Sequence, residues 1–182
     1  LKRTFEALNI QIAETKEEIE HLESISNSLD IARQDSDLTA IKRELSDCGY
    51  IKKHHEKNKG SKNTGKSKPL HYISSDGFDM YVGKNNYQND ELTFKIATGN
   101  DWWFHVIVKT DGKELPDRTF EEAARLAAHY SKACEQGKAE IDYIQKKHIK
   151  KPNGSKPGFV VYYTNYSMTI STDITGIQEV TE

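Results

Sequence analysis

The dipeptide Asp76-Gly77 lies between two runs in which apolar and polar residues alternate, 70–75 and 78–82. Alternation with a period of two is typical of half-buried β-strands, and Asp-Gly strongly favours a tight turn between antiparallel strands. The sequence therefore predicts a β-hairpin at this point. Whatever else the chain forms, an antiparallel sheet must grow around this hairpin.

The rest of the second half predicts more strands than helices. A strand is expected over 101–106, and residues 107–109 either continue this strand or pair beside it. Further strands are expected over 139–144, 159–163 and 168–170. Helices are expected over 86–97 and 120–133, the second with Thr119 as N-cap and Glu122 as its capping-box partner. Because strands and helices do not alternate regularly, we predict an α+β fold: a mainly antiparallel sheet with one or two packed helices.

The first fifty residues follow a helical period instead. Apolar residues recur in steps of three and four at Leu1, Phe5, Leu8, Ile12, Ile19, Leu22 and Ile25 or Leu29. A second series, Leu38, Ile41 and Leu45, follows Asp37 as a predicted N-cap and ends before Gly49. The two series predict an antiparallel helical hairpin, a coiled-coil arm that pairs within the chain or with another copy.

Charge is distributed unevenly along the chain. Residues 1–48 contain 11 acidic and 6 basic side chains, whereas residues 51–68 contain seven lysines and one glutamate. The second segment has almost nothing apolar to bury, so we predict a basic flexible linker over 51–69 between an arm at 1–50 and a domain at 70–182. Lysine runs bind phosphate backbones through counterion release, although a merely solubilising linker fits the composition equally well.

Several function classes lack support in the sequence. No apolar run is long enough to span a membrane, and no signal segment is present, although the chain starts with Leu1 rather than methionine and so reads as a fragment. Cys48 and Cys134 are expected to be free thiols in a reducing compartment. His54-His55 lacks a third metal ligand, and no catalytic constellation occurs; Lys84 with Asp90 has no nucleophile nearby. We therefore predict no catalysis, metal or cofactor.

Two groups of residues suggest contact with a polynucleotide. Gly83-Lys84-Asn85-Asn86 joins a predicted strand to a predicted helix, where backbone amides and a lysine suit an anion. Trp102 and Trp103 should point to opposite faces of the sheet, with His105 on the face of Trp103, so one indole could be exposed to stack on bases. A second basic run, 146–156, is expected on the sheet rim, where the alternative is an edge that blocks aggregation.

The same stretch resembles a known family. Residues 77–93, Gly-Phe-Asp-Met-Tyr-Val-Gly-Lys-Asn-Asn-Tyr-Gln-Asn-Asp-Glu-Leu-Thr, and residues 100–105, Asn-Asp-Trp-Trp-Phe-His, are similar to the signature of the NFACT-R domain. This domain is the C-terminal part of the fibronectin/fibrinogen-binding protein family, whose bacterial members are ribosome quality-control factors. The likeness covers residues 70–171, and the preceding helices resemble the end of the family's coiled-coil arm.

The resemblance implies a cytoplasmic protein that binds the large ribosomal subunit and tRNA during rescue of stalled ribosomes with alanine tailing. It also implies an alternative, a surface adhesin for fibronectin or fibrinogen, displayed without a signal peptide; a purely structural spacer is a third reading. By likeness, RNA contact is expected at Lys84, Asn85, Asn86, Asn89, Trp103, His105, Lys146, Lys147, Lys150 and Lys151.

One departure from the family concerns the segment after the tryptophans. Relatives usually carry a Gly/Pro-Gly-Ser-His segment between the Trp-Trp-Phe-His strand and Val-Ile-Val-Lys, whereas here Val106 continues directly into Ile107. The loop is either deleted or omitted from the sequence, and we favour omission. In that case a further loop would lie beside the predicted site.

Overall fold

An antiparallel sheet of seven strands is the centre of the fold. The computed structural model describes residues 2–52 and 66–181. The strands are β1 (Leu70–Ile73), β2 (Asp79–Val82), β3 (Trp102–Trp103), β4 (Val106–Val108), β5 (Lys138–Gln145), β6 (Tyr166–Ser171) and β7 (Gln178–Glu179). Their order is β6-β5-β3-β4-β2-β1-β7, and each neighbouring pair is antiparallel. The predicted α+β class and antiparallel sheet are confirmed.

Four α-helices surround or extend from this sheet. They are α1 (Lys2–Ile31), α2 (Asp35–Asp47), α3 (Asn86–Glu91) and α4 (Asp117–His129). A π-helical turn, Leu92–Ile96, prolongs α3, so the helix predicted over 86–97 changes its hydrogen-bond pattern halfway. Two 3₁₀ turns, Lys132–Gln136 and Lys146–His148, precede and follow β5. None of the helices in the described ranges is long and apolar enough to cross a membrane.

The predicted hairpin is confirmed as the β1–β2 pair. Gly77 has a φ of 84°, which a glycine adopts without the penalty that a Cβ would bring. The Gly77 amide donates to the Ser74 carbonyl at 2.9 Å, and the Ser74 amide donates to the Phe78 carbonyl at 2.9 Å. The Asp-Gly dipeptide therefore closes the turn that sets the register of both strands.

The predicted capping box of α4 is wrong. The helix begins at Asp117, after Pro116, so Thr119 and Glu122 lie inside it. The Thr119 hydroxyl donates to the Asp76 carboxylate at 2.8 Å, and the Glu122 carboxylate accepts the Ser75 amide at 2.7 Å. The N-cap residue is Pro116, in an extended conformation and without a side-chain hydrogen bond to the helix. The two polar side chains are thereby free to fasten the β1–β2 turn to α4.

Each face of the sheet has its own apolar core. One face packs on α4, whose alanines at 123, 124, 127 and 128 are almost completely buried and permit close approach to the strands. The other face is covered by the π-helical turn and packs Leu92, Trp103, Ile107, Ile144 and Ile149. Trp102 belongs to the α4 side and Trp103 to the opposite side, as the alternation of strand side chains predicts.

Two predicted strands are corrected. The strand expected over 101–106 is two strands, β3 and β4, joined directly by a tight turn at Phe104-His105 in which His105 has a φ of 62°. Trp103 pairs with Ile107 across this turn. The strand expected over 159–163 is also wrong, since this stretch forms a single bridge between Lys150 and Val161. On its outer side β5 pairs with β6, and on its inner side it pairs with β3.

The helical hairpin is present, but its two helices differ greatly in length. Ile25 and Ile41 are buried where α2 covers the C-terminal part of α1. Toward the N-terminus the apolar positions of α1 are exposed, including Phe5, Leu8, Ile12, Ile19 and Leu22. The predicted apolar series therefore forms a continuous stripe on α1 of which only one end is covered by the described residues.

The N-terminus of α2 is also corrected. Gln34 is the N-cap, and Asp37 lies at the third helical position, where its carboxylate accepts the Gln34 amide at 3.1 Å. The helix ends at Asp47 with Gly49 just beyond it, at a φ of 81°, as predicted. The segment 53–65, which contains most of the predicted linker and the His54-His55 pair, lies outside the described residues.

Gly83 tests how closely β2 and α3 must approach. A Cβ at this position would lie 2.9 Å from the Asn89 amide nitrogen and 2.1 Å from its side-chain oxygen. We expect Gly83→Ala to lower the free energy of unfolding by about 1–3 kcal/mol, because the backbone atom cannot move aside without shifting α3. Urea denaturation measures this change in the free energy of unfolding.

Gly99→Ala is the matched control for that substitution. Its Cβ would meet the Lys147 Cβ at 3.6 Å, an ordinary contact. We expect Gly99→Ala to change the free energy of unfolding by no more than about 0.5 kcal/mol. Equal effects of the two substitutions would contradict the close approach at Gly83.

Candidate nucleic-acid interface

The structure separates the ten predicted RNA-contact residues into three places. Lys84, Asn85 and Asn86 lie where the helical arm meets the sheet domain, and all three are buried. Asn89 and His105 line a cavity beside this joint, with Trp103 in the core next to them. The four lysines at 146, 147, 150 and 151 surround the 3₁₀ turn after β5.

Lys84 is held in a buried ion pair. Its ammonium lies 2.7 Å from the Asp37 carboxylate, and the two side chains are 6% and 1% exposed. Burial alone would raise the pKa of Asp37, but hydrogen bonds from Lys84 and Ser67 lower it below its ordinary value. The positive charge of Lys84 is therefore neutralised inside the protein and does not face solvent.

The amides at the strand–helix junction are also engaged. The Lys84 amide donates to the Gln88 side-chain oxygen at 2.8 Å, and the Gln88 amide donates to the side-chain oxygen of Asn85, the N-cap of α3, at 3.0 Å. These side chains occupy donors that the predicted anion pocket would need. The sequence Gly83-Lys84-Asn85-Asn86 thus builds the start of a helix and the joint to the arm.

Asn86 joins this junction to a polar chain within the arm. Its side-chain amide donates to the Glu44 carboxylate at 2.7 Å, and the same carboxylate lies 3.0 Å from the His21 Nε2. The other ring nitrogen of His21 lies 3.1 Å from the Tyr50 hydroxyl, which accepts from the Lys156 ammonium at 3.1 Å. Burial raises the pKa of Glu44. These hydrogen-bonded side chains connect α1, α2, α3 and the 152–158 loop.

A cavity of about 820 Å³ lies between α1 and the end of the sheet. Asn86, Asn89 and His105 contribute to its walls together with Lys156 and Tyr162. The His105 ring is accessible to solvent within the cavity and lies 4.2 Å from the Trp103 ring centroid. Its protein surroundings nevertheless lower the pKa of His105 to about 4 by desolvation, so the ring is neutral at pH 7.

Trp103 is a core residue and does not offer a stacking surface. Its side chain is 3% exposed and packs with Ile107, Ile144 and Ile149. The ring centroid of Tyr162 lies 5.5 Å from that of Trp103. Burial, and then the hydrogen bond from its hydroxyl to Asp142, raise the pKa of Tyr162 to about 12. Of the two indoles, one of which is expected to be exposed for stacking, Trp103 is therefore excluded, and Trp102 is half-buried.

Three lysines form the exposed basic patch of the domain: Lys146, Lys147 and Lys150. Lys147 and Lys150 are exposed, Lys146 is half-buried, and within the described residues none of the three has a carboxylate within 4 Å. The Lys146 ammonium lies 5.8 Å from the Phe94 ring centroid, a cation–π distance. The backbone amides of Lys146 and Lys147 donate to the carbonyls of Asp101 and Gly99, which fixes the patch to the end of β3.

Lys151 differs from its neighbours in this run. Its ammonium binds the Asp90 carboxylate at 2.7 and 2.9 Å and donates to the Lys156 carbonyl at 3.1 Å. Asp90 also accepts the Gly158 amide at 3.1 Å. Lys151 therefore holds the 152–158 loop on α3. Sequence reasoning missed Phe94, which borders the patch, because it lies in a segment identified only as helix.

Comparison with known proteins agrees with this architecture. Residues 1–64 match the family model for the NFACT N-terminal and middle domains, and residues 68–163 match the model for the NFACT protein RNA binding domain. The Rqc2 homolog RqcH of Streptococcus suis is 39% identical over 170 residues, which cover 89% of this chain and 30% of the relative. That of Bacillus subtilis is 33% identical over 94% of this chain and 31% of the relative.

A solved structure is also similar. The C-terminal part of the fibronectin/fibrinogen-binding protein from Streptococcus suis superposes with a TM-score of 0.83 at 36% identity, covering 95% of this chain and 71% of that one. The chain spans about a third of the length of the curated relatives, whose remaining regions lie outside it.

The buried ion pair at the joint gives a prediction about stability. We expect Lys84→Ala to lower the free energy of unfolding by about 3–5 kcal/mol, because it leaves the Asp37 carboxylate buried without its partner. Lys147→Ala removes an exposed lysine and should change it by less than about 0.5 kcal/mol. Chemical denaturation of both variants checks this. If Lys84→Ala lowered the free energy of unfolding as little as Lys147→Ala, the role assigned to the pair would be contradicted.

The lowered pKa of His105 predicts a pH dependence. The folded state holds this ring neutral down to about pH 4, whereas its ordinary pKa is 6.5, so the unfolded chain binds the proton first. The stability that the neutral ring contributes is therefore complete above pH 6.5 and is lost as the pH falls toward 4.

The substitution His105→Asn isolates this contribution. Asparagine has no proton to gain in that range and tolerates the positive φ of this position. Urea denaturation at pH 7 and pH 5 should show a smaller loss of stability in the variant than in the parent protein. Equal losses would mean that His105 does not contribute to the pH dependence.

Proposed function

The chain belongs to the NFACT family, and we propose that its sheet domain binds RNA on the ribosome as a non-catalytic part of ribosome quality control. The single observation that carries the proposal is the exposed basic patch: three lysines that have no carboxylate partner among the described residues, in a region that matches an RNA-binding domain. Relatives named Rqc2 homolog RqcH support the cellular context, which implies a cytoplasmic location. The large ribosomal subunit and tRNA are the proposed partners.

The geometry of the patch suits a phosphate backbone. The 3₁₀ turn places Lys146 and Lys147 on consecutive positions, and Lys150 follows after the buried Ile149. Phe94 lies within cation–π distance of the Lys146 ammonium and of the Lys151 ammonium, so its ring stabilises both positive charges. Ammonium groups held without internal partners release counterions from the nucleic acid when they bind phosphates.

The proposed interface is smaller than the set expected from likeness. Lys84, Asn85 and Asn86 hold the arm to the domain, Lys151 holds a loop, and Trp103 lies in the core. His105 and Asn89 face the large cavity rather than the patch. We therefore assign the electrostatic contact to Lys146, Lys147 and Lys150 and keep the cavity residues out of the proposed contact.

The test is the salt dependence of RNA binding. Affinity for tRNA and for isolated large ribosomal subunits should fall steeply as salt rises, and changing Lys146, Lys147 and Lys150 to alanine should reduce the slope of log K against log salt by about 2–3. Filter binding and co-sedimentation measure the two affinities. Circular dichroism confirms that the variant remains folded.

A charge-matched control separates a local contact from general attraction. Lys16, Lys42 and Lys113 are exposed elsewhere in the chain, so their replacement by alanine removes the same charge. This triple variant should keep nearly the salt slope of the parent protein. If both triple variants lose RNA equally, the basic patch is not the interface.

A second candidate function is adhesion to fibronectin or fibrinogen, at the cell surface. The observation that favours it is the similarity to the streptococcal fibronectin/fibrinogen-binding protein over 95% of the chain. Surface plasmon resonance with immobilised fibronectin or fibrinogen tests it with the same variants. Loss of glycoprotein binding with unchanged RNA binding in the patch variant would favour adhesion, and loss of neither would favour a structural spacer.

A further inference from the structure

A second cavity, of about 360 Å³, opens on the α4 side of the sheet near the β6 edge. Four aromatic rings line it, those of Trp102, Phe120, Tyr143 and Tyr166, and Met168 completes the apolar wall. The rings come from β3, α4, β5 and β6, so each is positioned by a different element. None of them belongs to the basic patch.

The rings support one another and form a preformed wall. The Trp102 and Phe120 centroids lie 4.7 Å apart in an edge-to-face arrangement, and the Tyr143 and Tyr166 rings stack at 5.4 Å. Tyr143 and Tyr166 are also paired across β5 and β6, which fixes the stacked pair through the backbone. Yet Tyr166 remains 61% exposed, so a large aromatic surface is left facing solvent at this edge.

Two carboxylates stand on the rim of this aromatic cavity. Asp117 and Glu121 lie one turn apart in the first part of α4, on either side of Phe120, and both are exposed. Neither makes an ion pair with any residue in the ranges 2–52 and 66–181. Arg118, the cation between them, lies instead 3.6 Å from Glu122. The mouth of the cavity is therefore negative, which disfavours a phosphate there.

We propose that this cavity binds an arginine side chain of a basic protein partner. A guanidinium is planar, weakly hydrated and stacks on aromatic faces, and it donates hydrogen bonds in a fork that fits carboxylates. Aromatic walls below and carboxylates at the rim offer both contacts at once. The site is separate from the proposed RNA patch, because the side chains of Trp102 and Trp103 lie on opposite faces of the sheet.

Nuclear magnetic resonance of the two indole N–H groups tests this inference. The probe is N-acetyl-arginine methylamide, and N-acetyl-norleucine methylamide is its uncharged counterpart. The arginine probe should shift the Trp102 indole signal and leave that of the buried Trp103 unchanged, which also reports that the core is intact. The norleucine probe should bind at least roughly fivefold more weakly, since it lacks the cation–π and ionic contacts.

Variants assign the two kinds of contact. Asp117→Asn with Glu121→Gln should weaken the arginine probe by roughly five- to tenfold, as expected for two exposed ionic contacts. Tyr166→Ala, at the exposed ring, should weaken it by roughly threefold. Glu6→Gln with Glu14→Gln on α1 removes the same charge far from the cavity and should leave the affinity unchanged.

Three outcomes would overturn the proposal. The first is an unshifted Trp102 signal with the arginine probe, and the second is equal binding of the norleucine probe. The third is a shift of the Trp102 signal by a short RNA oligonucleotide in the variant with Lys146, Lys147 and Lys150 changed to alanine, which would assign the cavity to nucleic acid instead. Each of these results is independent of whether the basic patch binds RNA.

Discussion

The buried ion pair between Lys84 and Asp37 determines how the helical arm sits on the sheet domain. A charge enters the interior of a protein only where a partner of opposite sign and further hydrogen bonds compensate its lost hydration. Here the lysine comes from the β2–α3 junction and the carboxylate from α2, with Ser67 as an additional donor to Asp37. An orientation of the arm that separated this pair would leave the Lys84 ammonium buried without a charged partner, so the pair favours the observed arrangement.

The polar joint explains why the residues that most resemble a binding motif do not face solvent. Asn85 caps α3, and Asn86 donates to the Glu44 carboxylate in the arm. Asparagine, lysine and glycine are the residue types expected at an anion site, but they are equally suited to a helix start that must receive a second domain. Composition cannot separate the two uses, because they differ only in what packs against the junction.

The elements that follow from local chemistry could be predicted, and those that depend on distant partners could not. Asp76-Gly77 specifies its own turn, and Gly49 marks the end of α2, since each acts through a few neighbouring residues. The pattern at 119–122 predicts a cap at Thr119, because the sequence does not reveal that Asp76 lies beside it in space. In the basic run, Lys150 and Lys151 are adjacent and chemically identical, yet only Lys151 meets Asp90, a residue 61 positions away.

The alternation of side chains in β3 gives the domain two chemically different faces. Trp102 and Trp103 are neighbours in sequence, yet the first joins an aromatic wall beside Asp117 and the second supports the core beneath the basic turn. The proposed basic patch would attract a polyanion to one face, and Asp117 and Glu121 would disfavour it on the other, so a single bound RNA would orient the domain. The carboxylate-bearing face would then point away from that RNA, toward any basic protein that accompanies it. One two-residue strand thus separates the two proposed recognition surfaces.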